Sequence, residues 1–139
     1  MRAYDLKMIP ITQHFPSNKI DNISEVTRDE IAKTGVKFAK GSRIAITAGS
    51  RGIANIAAII KAVVDEIKSQ GACPFIIPAM GSHGGATAEG QRKVLEHYGI
   101  TEDTMGAPIV SSMDVVSIPN EENGFRLFMA KDAYDADGK

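Results

Sequence analysis

Two short glycine-flanked turns carry the side chains of this sequence that could do chemistry. Ser82 and His83 lie between glycines in one turn, and Ser50 and Arg51 lie between glycines in the other. A histidine can take or give a proton near neutral pH, and an arginine binds carboxylate or phosphate through two parallel hydrogen bonds. These residue types predict a site in which His83 acts as a general acid or base on an anion that is held by Arg51, Ser50 and Ser82.

Both turns also have plain structural interpretations, and the residues by themselves leave these open. His83 could be a solvated histidine in a tight turn, and Arg51 could be an ordinary surface residue. The other two histidines point to no chemistry, because His14 precedes a turn and His97 falls in the last turn of a predicted helix, where the helix dipole favours a cation. The three histidines and the single cysteine do not have the spacing of a metal site, so we predict no metal ligand.

The elements around the turns should bring them together. Short apolar runs at residues 42–47 and 72–78 predict buried strands. A helix is predicted over 53–69, with a stripe of isoleucine and valine at helical spacing and Gly71 as its stop. A second helix should begin at the N-cap Thr87 and end at Gly99. Strand–helix–strand units of this kind build parallel sheets, so Arg51 and His83 are expected to face one cleft beyond the strand ends.

The remaining segments complete an α/β prediction. We expect a helix that ends at Gly35, an edge strand at 7–13 and further strands at 108–110 and 115–118. Asn123-Gly124 predicts a hairpin tip before a strand at 125–129. The expected fold is a three-layer Rossmann-like domain with a mainly parallel sheet and a C-terminal β-hairpin, spanning 1–139 as a single domain.

Composition limits the function classes. The chain has 139 residues and a net charge of −1, so it offers no bulk attraction for nucleic acid. The N-terminus lacks the apolar core of a signal peptide, and no apolar run reaches the roughly 20 residues that span a bilayer. We therefore expect a cytoplasmic protein with no membrane or nucleic-acid partner, and the sequence leaves a homo-oligomer open.

From about Arg43 onward the chain resembles the N-terminal part of the nickel-pincer lactate racemase family, formerly a domain of unknown function. The stretch 47–51, Thr-Ala-Gly-Ser-Arg, falls where that family often has an Asp-Ala-Thr-Arg-like turn. The stretch 79–83 corresponds to its Gly-Thr-His turn, 87–89 to the acidic helix start and 135–138 to the segment before the next strand. Two departures indicate a divergent homologue: Ala48 replaces the acid of the first turn, and Gly84-Gly85 replaces an Arg-Pro-like pair.

The resemblance implies an isomerase that acts on a 2-hydroxy acid. In that family a nickel-pincer nucleotide takes a hydride from the α-carbon and returns it to either face, while two histidines exchange the hydroxyl proton. By resemblance His83 would be one of these histidines, and Arg51 would hold an anionic group of substrate or cofactor.

The same resemblance places the second histidine, the cofactor lysine and the nickel-binding histidine beyond Lys139. We therefore expect a truncated chain that is inactive by itself. The alternative from a different class is a non-catalytic α/β module that binds a small anion or a nucleotide.

Overall fold

The computed structural model describes residues 8–16, 19–119, 124 and 126–138. It is a mixed α/β structure with a small parallel sheet and an antiparallel hairpin. The strands are β1 (Arg43–Ala48), β2 (Cys73–Pro78), β3 (Val115–Pro119) and β4 (Arg126–Ala130). The helices are α1 (Ile23–Thr34), α2 (Ile56–Ser69), α3 (Ala88–His97), α4 (Glu102–Met105) and α5 (Lys131–Tyr134), and a 3₁₀ turn, His83–Ala86, precedes α3.

The parallel pair β1–β2 is the centre of the fold. Its register aligns Ala48 with Pro78, so both strands end at the same edge of the sheet. A single parallel bridge extends the sheet on each side: Gly138 pairs with Ile44 of β1, and Ile109 pairs with Ile76 of β2. The predicted strand at 108–110 is thus reduced to one bridge, with backbone bonds from Ile76 to Pro108 and from Val110 to Ile76.

One face of the sheet carries most of the core. Ile46, Ala48 and Ile76 point to this face, which is covered by α2 and by Leu95 of α3. The helix contributes Ile56, Ile60, Val64 and Ile67, all of which are buried. Burial of large aliphatic side chains is the main favourable term in folding. Most residues of this buried cluster belong to the β1–α2–β2 unit.

The opposite face is covered more thinly. Ala45, Phe75 and Ile77 form a second buried cluster with Ala136, and the partly buried Ala133 of α5 packs against it. Both strands therefore need apolar residues at successive positions, which explains why they are nearly continuous apolar runs.

The ends of the two central helices follow the predicted stop signals. At the end of α3 the Gly99 N–H bonds to the Glu96 carbonyl, and the Ile100 N–H bonds to the Leu95 carbonyl. This is the Schellman pattern, and its apolar contact joins two fully buried residues, Leu95 and Ile100. Gly71 ends α2 in the same way, with the Ala72 N–H bonded to the Ile67 carbonyl.

The start of α2 was predicted wrongly. The helix begins at Ile56 and not at residue 53, because Asn55 has a left-handed backbone with φ of 62°. A residue in that region cannot belong to a right-handed helix interior. Ile53 is consequently 56% exposed and does not join the buried stripe.

Of the two predicted terminal features, the C-terminal hairpin is present and, among the described residues, the N-terminal edge strand is not. The hairpin is confirmed, since β3 and β4 pair antiparallel with Val115 opposite Ala130; Asn123 of its predicted tip and Phe125 lie outside the described residues. The edge strand at 7–13 was predicted wrongly, because residues 8–16 form no strand. Lys7 lies outside the described residues.

Among the described residues, no helix is both long and apolar enough to cross a membrane.

Replacing a buried residue of the α2 stripe should separate core packing from surface effects. Ile60 is 5% exposed, so Ile60→Ala should lower the free energy of unfolding by about 2–5 kcal/mol. The matched control Ile53→Ala, at an exposed position just before the helix, should change it by less than about 0.5 kcal/mol. Urea unfolding followed by circular dichroism measures both, and equal losses would contradict this assignment of the core face.

Candidate functional site

The site is built from the turns that leave β1 and β2. Because the two strands end in register, the turns start side by side, and the Ala79 N–H donates to the Ala48 carbonyl across them at 2.8 Å. The first turn carries Ser50 and Arg51, and the second carries Ser82 and His83. Backbone pairing of the strands is therefore what brings these four side chains to one edge of the sheet.

The four side chains line one cleft, which we call the turn cleft, with a volume of about 480 Å³. It is lined by Gly49, Ser50, Arg51, Ile53, Ala79, Met80, Gly81, Ser82 and His83. The predicted convergence of the two turns is confirmed. Arg51 and His83 are both exposed, and Ser50 is half-buried.

The guanidinium of Arg51 is available to a ligand. Among the described residues it makes no hydrogen bond, and no ion pair of the described ranges includes it. An exposed arginine of this kind can present its planar fork to a carboxylate or a phosphate.

The imidazole of His83 bonds to the other turn. Its Nδ1 lies 2.5 Å from the Oγ of Ser50. Ser50 is itself anchored, because the Tyr98 hydroxyl donates to the Ser50 carbonyl at 2.9 Å. The histidine is thus held at one ring nitrogen, and a ligand in the turn cleft has the other nitrogen, Nε2, to contact.

The turn that carries His83 is fixed against the start of α3. Gln91 is a buried polar residue, and its Nε2 donates to the Gly81 carbonyl at 2.8 Å. Thr87 caps α3 as predicted: its Oγ1 accepts from the Gly90 N–H and donates to the Gly84 carbonyl. The Gly90 bond satisfies one of the N–H groups that a helix start leaves unpaired, and the other two bonds tie the turn to α3 through the Gly81 and Gly84 carbonyls.

Gly84 and Gly90 allow this close approach. Gly84 has φ of 64°, and a Cβ built on it would lie 2.4 Å from the Gly90 carbonyl carbon. A Cβ on Gly90 would in turn lie 1.8 Å from the Gly84 oxygen. Neither position can carry a side chain without moving the turn. Glycine is therefore required after His83 for a steric reason that the sequence alone does not reveal.

A second, shallower depression adjoins the turn cleft on the α3 side, with a volume of about 450 Å³. We call it the α3 depression; it is lined by Ser50, His83, Gly84, Lys93, Val94, His97 and Tyr98. His97 packs edge-to-face on the Tyr98 ring. The Glu89 carboxylate bonds to Lys93 and raises the pKa of its ammonium, first through the hydrogen bond and then through charge attraction.

Sequence reasoning gave His97 only a structural role, and the structure places it in this depression beside His83. It also missed Gln91 and Tyr98 as residues that hold the site. The sequence did contain a signal for Gln91. It lies on the same face of α3 as Leu95 and Tyr98, at positions i, i+4 and i+7, so this spacing places a polar side chain on the face that packs against the core.

In the described ranges, no three His, Cys, Asp or Glu side chains lie close enough together to hold a metal ion.

Comparison of the chain with family models, with curated proteins and with solved structures found no match in any of the three.

The two glycines after His83 offer a matched pair of variants. Both have positive φ, but a Cβ on Gly85 meets open space, whereas one on Gly84 meets backbone. Both alanine variants carry the strain of a left-handed backbone, about 1–2 kcal/mol. Gly84→Ala should lower the free energy of unfolding by about 1–3 kcal/mol beyond that, as overpacking does. Chemical unfolding of the two variants measures the difference, and equal destabilisation would contradict the close approach of the turn to α3.

Proposed function

We propose that this chain is the part of a 2-hydroxy-acid racemase or epimerase that binds the acid and exchanges its hydroxyl proton. Arg51 holds the carboxylate, and His83 contacts the 2-hydroxyl group. The observation that carries the proposal is the placement of both side chains in the turn cleft, with His83 bonded to Ser50 through Nδ1. Ser50 and Ser82 remain the candidate hydroxyl donors to the anion.

The chemistry of the side chains matches the needs of such an acid. In a 2-hydroxy acid the carboxylate and the hydroxyl group are both attached to C2. A group that binds the anion and a group that exchanges the hydroxyl proton must therefore lie in the same small cleft. The Arg51 guanidinium, which has no hydrogen bond or ion pair among the described residues, supplies the first. An imidazole supplies the second, because one ring nitrogen can accept a proton and return it, as both directions of a racemisation require.

The nickel-pincer nucleotide stays a proposal that rests on resemblance alone. The described residues present no group of three His, Cys, Asp or Glu side chains that could hold the nickel ion. What this chain's own residues are proposed to do is bind the carboxylate, orient the 2-hydroxyl group and take or return its proton.

We also propose that the chain folds as a three-layer Rossmann-like domain. Its support is the order of the parallel segments across the sheet, which is 138, β1, β2 and 109, with the end of the chain returning beside β1. The cover of both sheet faces by buried clusters also supports it. In open α/β sheets ligands bind beyond the carboxyl ends of the strands, where the turn cleft lies.

The test compares two acids that differ only in the 2-hydroxyl group, namely L-lactate and propionate. Titrations of the 139-residue chain followed by amide chemical shifts should show lactate binding more tightly than propionate. His83→Ala should remove that difference while leaving propionate affinity unchanged, because the histidine contacts only the hydroxyl. D-lactate should bind within a few-fold of L-lactate, since a racemase must hold both enantiomers.

Arg51→Ala should weaken both acids at least about tenfold, because a hydrogen bond to a charged group contributes about 1.5–3 kcal/mol. Arg43→Ala is the matched control, since Arg43 begins β1 at the opposite edge of the sheet and lies over the Phe75 ring. Unchanged binding in Arg51→Ala would contradict the proposal. Tight anion binding that His83→Ala leaves untouched would favour the alternative, a module that binds an anion without proton exchange.

A further inference from the structure

We infer that Ser50 is a positioning residue that holds His83 in the Nδ1–H tautomer, and that Tyr98 keeps Ser50 in place for this role. This inference rests on the proposed function, because it concerns which nitrogen of His83 takes the hydroxyl proton of the 2-hydroxy acid. Its geometric basis is the Tyr98–Ser50–His83 chain of two hydrogen bonds.

The bond to Ser50 occupies Nδ1, so Nε2 is the nitrogen that must act on a ligand. For Nε2 to accept a proton it must carry a lone pair, and the proton of the neutral ring must then be on Nδ1. In that tautomer the Nδ1–H donates and the Ser50 Oγ accepts. When Nε2 becomes protonated, Nδ1–H still donates to the same oxygen, so this bond needs no rearrangement in either direction of proton exchange.

The serine hydroxyl then keeps its own hydrogen for another partner. Among the described residues the Ser50 Oγ makes no other hydrogen bond than the one to His83. Ser50 also lines the turn cleft beside Arg51. An anion in this cleft can accept the hydrogen bond that the Ser50 hydroxyl still has to donate. Ser50 can therefore bind the anion and position His83 at the same time.

Tyr98 fixes Ser50 through the backbone and not through the hydroxyl. The phenol donates to the Ser50 carbonyl from the C-cap of α3, and α3 ends there in its buried Schellman stop. The turn after β1 is thus tied to the helix that follows the turn after β2. This tie holds the two turns at the spacing that the Ser50–His83 bond requires.

The tautomer can be measured directly in the 139-residue chain. Imidazole ¹⁵N shifts and two-bond ¹H–¹⁵N correlations of His83 should be recorded at about pH 9, well above the ordinary histidine pKa of about 6.5. We expect mainly Nδ1–H in the wild type and mainly Nε2–H in Ser50→Ala, which removes the acceptor. Ser50→Thr keeps a hydroxyl and should restore Nδ1–H. Tyr98→Phe, which loses only the anchor of Ser50, should move part of the population toward Nε2–H.

Ser82→Ala is the matched control, since Ser82 is also a cleft-lining serine and its hydroxyl is not the one bonded to His83. It should leave the tautomer unchanged, and amide spectra of all variants show whether each keeps the fold. Mainly Nε2–H in the wild type, or the same tautomer in wild type and Ser50→Ala, would overturn the inference. The Nδ1–H tautomer together with no binding of any 2-hydroxy acid would leave the inference standing and sink the proposed function.

Discussion

The parallel pairing of β1 with β2 is the constraint on which the rest of the structure depends. Its register sets Ala48 beside Pro78, and the Ala79 N–H extends the backbone pairing by one more bond to the Ala48 carbonyl. Slipping one strand by one residue would turn its buried side chains to the other face of the sheet, so the two buried clusters fix the register. The site follows from it, because the turns with Arg51 and His83 start where the strands end.

The site is stiffened by polar contacts that do not themselves face a ligand. Gln91 holds the carbonyl of Gly81, Thr87 joins the 3₁₀ turn to α3, and Tyr98 holds the carbonyl of Ser50. Each of these residues belongs to α3 or caps one of its ends, so a single helix supports both turns. A turn that is held by several bonds needs little reorganisation when one of its side chains contacts a ligand, which is the main advantage of a preorganised site. Arg51, by contrast, stays exposed and free among the described residues, as suits a group that captures a ligand.

The roles proposed for Arg51 and His83 correspond to this difference between an exposed side chain and a side chain that is held in place. In the proposed function, an anion in the turn cleft would contact the exposed Arg51 and a histidine whose ring is held at Nδ1. The same geometry would serve a module that only binds anions, because nothing in the cleft itself requires turnover. What distinguishes the two functions is whether His83 contacts a hydroxyl group of the ligand, and that is a property of the bound complex.

The sequence by itself determined the elements whose signals are local. The strand–helix–strand core, the Thr87 cap, the Gly71 and Gly99 stops and the hairpin pairing all depend on residues close together in the chain, and all agree with the structure. The edge strand at 7–13 and the start of α2 were wrong, since apolar spacing does not report a missing pairing partner or the left-handed backbone of Asn55. Only the tertiary structure decided that Ser50 bonds to His83, that Tyr98 anchors Ser50 and that Gly84 packs on Gly90. These contacts depend on ångström-scale distances between segments that the sheet brings together, and a sequence pattern does not contain those distances.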